Sequence, residues 1–304
     1  MRRKIIKQKT AYTITLPIRW VRDQKLNPED EIDVFEEENG LLIAPVGKIK
    51  DEIVDLDLKK GPQSYYRIII ENHYLKGYSK LNLTFEDTSI FSNIQDVVAN
   101  LIGYEITEQR KNGCTISATA QPTKEEYSKL FRRCFTITSY TQKLIAEDLK
   151  NESFSRFNEI EQQTKDSRRL LVFCTRALHL LQLTSRRDET FAHLLLERMI
   201  LIQHNYYYMY QKLKNYKKLK ICKEVKSLFS KVTQTFDLYS RMVLKGEDHF
   251  AEINDFWNTL YFKQGHSLFS GCTEEESVVI YHCMHLSKLL FLISQPNLVT
   301  QSLL

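Results

Sequence analysis

Seven basic residues crowd the first 22 positions: Arg2, Arg3, Lys4, Lys7, Lys9, Arg19 and Arg22. Together with Lys25 they face a single acid, Asp23, so residues 1–25 carry a net charge of +7 while the remaining 279 residues sum to −2. Lysine and arginine neutralise phosphates. A positive field at one end of a near-neutral chain is what a polyanion-binding head requires. Arg19 and Arg22 stand three apart, the spacing that puts two side chains on one face of a helix. The bland reading of the same residues is a solvated basic surface. Trp20, between the two arginines, reads as a core or dimer residue rather than a base-stacking one.

Other constellations carry less chemistry. His282-Cys283-Met284-His285 sets two imidazoles three apart on one helical face, with Cys272 upstream. A zinc site needs further ligands that the sequence does not supply, so ordinary histidines and no metal are expected. His179, His193 and His204 read as structural. Tyr206-Tyr207-Tyr208 and Tyr210 run into Lys212, Lys214, Lys217, Lys218 and Lys220. Aromatics interleaved with bases suit nucleic acid, but a helix spreads these residues over several faces, which predicts a mixture of core and solvated surface. Nine glycines in 304 residues leave few loops to cradle phosphates. No Walker, G-x-S-x-G or H-E-x-x-H pattern occurs, so neither an enzyme nor a cofactor is expected.

The elements that must position these residues fall into three zones. Residues 1–47 alternate as short strands. Arg3–Gln8 and Tyr12–Leu16 precede Pro17, which fits the first position of a helix running to about Leu26. Asn27-Pro28-Glu29-Asp30 is a turn, and Glu31–Glu36 pairs with Leu41–Pro45 across Asn39-Gly40, a strong hairpin signal. So few strands cannot bury a two-sided core, a shortage that a second chain would cure. Residues 48–121 read as a small α+β sandwich: Ile53–Leu58 as a strand, Gln63–Lys76 as a helix, Lys80–Glu86 as a strand, Ser92–Ile102 as a helix, and a hairpin across Asn112-Gly113. Residues 122–304 read as about six helices, near 123–150, 153–184, 188–215, 217–245, 248–268 and 273–295. The last carries an apolar seam at Val279, Cys283, Leu286, Leu290 and Ile293. The helix-ending tetrads at 149–152 and 244–247 lie 95 residues apart and divide the zone into two blocks of three.

The run Tyr12-Thr13-Ile14-Thr15-Leu16-Pro17, Arg19-Trp20, Leu26, Asp30-Glu31-Ile32 and Asn39-Gly40 with Leu41–Pro45 resembles the SpoVT/AbrB family of DNA-binding domains. That resemblance implies a swapped-hairpin β-barrel made by two chains, with basic residues of the N-terminal half on DNA. The rest of the chain is similar to the archaeal PhoU-type phosphate-uptake regulators. The similarity is carried by Asn100–Ile106 at the junction and by Arg132–Ala146 and Arg169–Leu178 in the body. It implies an all-α six-helix bundle of two three-helix repeats. Such bodies often set acids four apart to hold a metal cluster, but here positions 164 and 168 are Thr and Arg, and no such site is expected.

The expectation is therefore a dimeric DNA-binding transcriptional regulator of phosphate uptake, contacting the phosphate backbone through its basic head. Its body would meet a phosphate transporter or signalling protein. The alternative is a protein-interaction regulator of a transporter or sensor whose head only dimerises. An antitoxin-like regulator shares the head but normally carries a short tail. Six scattered cysteines without a C-x-x-C pair indicate a reducing compartment. No apolar signal-peptide core follows the basic start, and the longest apolar stretch, near Leu286–Ile293, is broken by Lys288. These features point to a cytoplasmic protein with no membrane insertion.

Overall fold

The computed structural model describes residues 2–37, 40–45, 52–181, 183, 186–216 and 220–295. It is an α+β protein that divides into two compact units, Met1–Asp51 and Glu52–Leu304.

In the first unit β1 (Ile6–Gln8) and β2 (Ala11–Thr13) form one antiparallel ladder, and β3 (Ile32–Glu37) and β4 (Gly40–Pro45) form another. A short helix, α1 (Ile18–Asp23), lies between them in sequence. It is shorter than the periodicity suggests. Pro17 is the cap before the helix rather than its first residue, with extended backbone at ψ 121°. At the other end the chain leaves the helix through Lys25 at φ +53°. The Asn27–Asp30 turn forms: the Asp30 amide donates to the Asn27 carbonyl at 3.2 Å, with Pro28 and then Glu29 at φ +84° between them. Proline followed by a positive-φ residue is the type II arrangement. Glu37 pairs with Gly40, so Gly40 belongs to the ladder and the connecting pair is 38–39, outside the described residues.

The second unit opens with a four-stranded sheet of order β5-β6-β8-β7, built from Ile53–Leu58, Lys80–Phe85, Gly113–Ala118 and Tyr104–Arg110 respectively. β5 and β6 are parallel and joined through α2 (Gln63–Leu75). α3 (Phe91–Val98) joins α2 in the same core, where Tyr66, Ile70, Tyr74, Ile94, Leu81, Leu83, Cys114 and Ile116 are fully or almost fully buried. The opposite face is polar, with Asn82 donating to Asp55 at 2.8 Å and Thr107 bonded to Ser117 at 2.9 Å. Gly113 shows the same one-residue offset as Gly40: it pairs with Arg110 and leaves Lys111-Asn112 as the turn. A Cβ on Gly113 would stand 2.3 Å from the Leu83 carbonyl oxygen, so glycine here admits the neighbouring strand rather than serving the turn.

The helices that follow are α4 (Lys124–Asn151), α5 (Phe157–Leu181), α6 (Arg186–Leu213), α7 (Lys223–Lys245), α8 (Phe250–Asn258), α9 (Gly265–Leu268) and α10 (Glu274–Ser294). Thr123 and Thr273 start α4 and α10 with reciprocal capping boxes to Glu126 and Glu276. α4 and α7 end on left-handed residues, Glu152 (φ +54°) and Gly246 (φ +71°), inside the two tetrads. The single helix expected over 248–268 is instead broken by a π-helical turn at Thr259–Gln264. Val279, Cys283, Leu286, Leu290 and Ile293 are all fully buried, so the seam read from spacing is the core face of α10. Among the described residues α10 alone has the length and composition to cross a membrane, and half of that stretch is buried inside the protein. Polar cross-links hold α4 to α6: Gln142 donates to the Tyr206 hydroxyl at 2.8 Å, and the Tyr210 hydroxyl donates to Asp148 at 2.6 Å.

The sheet layer is locked to the helices along one row of α5. Arg168, Val172, Arg176 and Leu180 stand four apart and so share a face. Arg168 Nη2 lies 2.6 and 2.7 Å from the two Glu71 oxygens on α2. Val172 belongs to the sheet core. Arg176, 2% exposed, donates to the carbonyls of Tyr74 and Tyr78 where α2 ends, and lies 4.7 and 4.9 Å from the ring centres of Tyr74 and Tyr104. Leu180 sits where a Cβ on Gly77 would come within 2.8 Å, and Gly77 has φ +88°. A buried guanidinium without a carboxylate is tolerated here because helix-end carbonyls and two aromatic faces replace its water. Arg176→Ala would take a buried donor from both carbonyls, leaving Tyr74 with the Gly77 amide and Tyr78 with the Tyr104 hydroxyl, and would open a cavity between the two rings; it should cost about 3 kcal/mol in urea unfolding. Arg176→Met, which keeps most of the volume, should recover part of the loss.

The two histidines of α10 are joined by Asn205 on α6. His282 Nδ1 lies 2.6 Å from the amide oxygen, and His285 Nδ1 lies 2.5 Å from the amide nitrogen. The His282 ring therefore donates and the His285 ring accepts, and the accepting ring has to be neutral to do so. Burial, helped by His285, pushes His282 down to about 4, and His285 is lowered as well, by burial and by Lys288. The unfolded chain takes up the His282 proton near pH 6.5, whereas the folded protein resists until about pH 4. Stability is thus complete above pH 6.5 and falls as pH drops toward 4, by on the order of 3 kcal/mol for His282. Urea midpoints at pH 7 and pH 4.5 should differ accordingly, and His282→Gln should flatten the difference.

Candidate nucleic-acid interface

The seven basic residues predicted to meet DNA, Arg2, Arg3, Lys4, Lys7, Lys9, Arg19 and Arg22, are all exposed. Their positions follow from the short elements of the first unit. Arg2, Arg3 and Lys4 lead into β1. Lys7 is paired across the ladder with Tyr12, which puts the two side chains on one face of the ribbon, and Tyr12 is 70% exposed. Lys9 is in the two-residue turn at φ +47°. Arg19 and Arg22 project from α1, Arg22 in its last turn, where a cation suits the helix dipole. Tyr12 was not singled out from the sequence; its pairing with Lys7 depends on the ladder register.

Of the seven, only Arg19 forms an ion pair among the described residues, at 3.9 Å from Asp23 with both side chains largely solvated. Such a pair contributes little and does not compete strongly with a phosphate. The unit also lacks a core of its own. None of its residues with described burial is buried, and Ile5, Ile6, Tyr12, Ile18, Val34 and Leu41 are each more than half exposed. Trp20 is only half-buried.

The remaining candidates resolve as ordinary structure. Tyr206 and Tyr210 are fully buried, Tyr207 is half-buried and Tyr208 is 50% exposed, so one helix splits the aromatic run between core and surface. Lys217 and Lys218 of the same run lie outside the described residues, and Lys214 covers the Phe157 ring. At the positions where a PhoU-type body would carry acids, Thr164 is buried with its hydroxyl donating to the Ile160 carbonyl at 2.8 Å, and Arg168 is held by Glu71. Among the described residues no three His, Cys, Asp or Glu side chains are grouped to hold a metal ion. All six cysteines are unpaired.

Because Arg19 and Arg22 are solvated, Arg19→Glu/Arg22→Glu should change folding stability by no more than about 0.5 kcal/mol in thermal or urea unfolding. The chain matches no protein-family model, no curated protein and no solved structure.

Proposed function

We propose that this protein is a dimeric, cytoplasmic, non-enzymatic regulator of phosphate uptake that binds DNA through its N-terminal unit. One observation carries this reading: seven exposed cations sit on a unit in which no residue of described burial is buried. Cations in that setting are available to phosphates, and the exposed apolar residues beside them need a partner surface. A second copy of the unit supplies that surface in a swapped-hairpin barrel of the SpoVT/AbrB kind, and it doubles the basic face. The likeness of residues 100–106, 132–146 and 169–178 to PhoU-type regulators supports the phosphate-homeostasis part of this reading, with the helical body as the part that receives a transporter or signalling protein.

The test is retention of genomic DNA fragments in a gel-shift assay over a salt series, with sedimentation of the retained species. Wild-type protein should bind as a dimer, with affinity falling steeply as salt rises. Arg19→Glu/Arg22→Glu should abolish retention. The milder Arg19→Gln/Arg22→Gln should lower the salt slope by about 3–4 for a dimer that loses four phosphate contacts. Retention that salt and the arginine variants leave unchanged would refute binding through this basic face, and no retention by the wild-type protein would favour a head that only dimerises.

A further inference from the structure

We propose that the cleft between α2, α3 and α5 binds a small multivalent anion whose phosphate or carboxylate groups are gripped by Arg67 and Arg169. The cleft has a volume of about 540 Å³, which suits a small ligand better than a lone ion. Two helices supply its cations. α2 contributes Arg67, one turn ahead of Glu71, and α5 contributes Lys165, Arg168 and Arg169 from a single face.

The internal pairing leaves a specific remainder. Arg168 is taken by Glu71 at 2.6 Å and Lys165 by Glu161 at 2.9 Å, while Asp96 accepts from Gln63 at 3.3 Å. Arg67 and Arg169 make no ion pair and no hydrogen bond among the described residues. Two guanidiniums lining one concavity offer planar, forked donors that match the oxygens of a phosphate or carboxylate. The positive field of the cleft also reaches α6: His204 is lowered by burial first, and then by Arg168 and Arg67. Half of the lining residues are charged, four basic against Glu71 and Asp96, and this excess of positive charge favours an anion over an apolar ligand. The cleft is built from the second unit alone, and binding there does not rest on the DNA reading.

The experiment is calorimetric titration of the full-length, DNA-free protein with pyrophosphate, citrate and inorganic phosphate, at constant ionic strength in chloride. Pyrophosphate or citrate should saturate at one per chain, and the tighter of the two identifies phosphate or carboxylate as the preferred group. Arg67→Ala/Arg169→Ala should weaken that binding at least tenfold without moving the unliganded melting temperature, and Arg67→Lys/Arg169→Lys should restore part of it. Arg19→Glu/Arg22→Glu should bind the anion like wild type, so failure of the DNA reading leaves this one standing. If the double alanine variant does not fold, the single Arg169→Gln variant carries the same expectation of weakened binding. Three results would overturn the proposal: no saturable binding of any probe, undiminished binding by the arginine variants, or loss of DNA retention in Arg67→Ala/Arg169→Ala, which would move both arginines to the nucleic-acid face.

Discussion

The charge of Arg176 sets the terms on which the sheet layer and the helices of the second unit meet. A guanidinium inside a protein must be solvated by the protein itself. Here the carbonyls at the end of α2 and the rings of Tyr74 and Tyr104 do so, and each of those groups is fixed by a further bond. The Tyr74 hydroxyl donates to the Ile102 carbonyl at 2.8 Å and the Tyr104 hydroxyl donates to the Tyr78 carbonyl. The end of α2, the start of β7 and the middle of α5 are thereby tied at one point. The same row of α5 repeats the contact at each turn, through Arg168, Val172 and Leu180. The sheet and the helices have separate hydrophobic cores, yet they form one compact unit because this row joins them.

The N-terminal unit is organised in the opposite way. Its strands are short, its helix buries nothing, and the seven cations predicted to meet DNA are exposed, with one weak ion pair, Arg19 to Asp23, among them. Exposed apolar residues and exposed cations stand side by side in the same short ladder, as at Ile6 and Lys7 of β1. The second unit covers some of its titratable groups: His282 and His285 form a neutral relay with Asn205 between α6 and α10, whereas Arg67 and Arg169 stay open to a cleft.

Much of the architecture was legible because it is periodic. The apolar spacing of α10 gave its buried face residue by residue, and β5 through β8 with their intervening helices lay close to where alternation and turn residues put them. Both Asn-Gly dipeptides marked hairpins but misplaced the turn by one residue. Glycine tolerates a positive φ, yet at Gly113 its use is to leave room for the Leu83 carbonyl, thirty residues away, which a Cβ would meet at 2.3 Å. The π-helical turn at Thr259–Gln264 has no counterpart in the pattern of apolar residues and so was read as continuous helix.

The sequence by itself determined the concentration of charge in the first 25 residues, the element types and the apolar face of the last helix. Each of these follows from neighbours within a few positions, where composition and period act directly. Tertiary structure alone decided which charges are spent and which remain. Arg168 and Arg176 lie in the same helix as Arg169, but Glu71 and the end of α2 occupy the first two and leave the third at the mouth of a cleft. Whether a charge is paired, buried or open depends on groups about a hundred residues distant, which only the folded chain brings within reach.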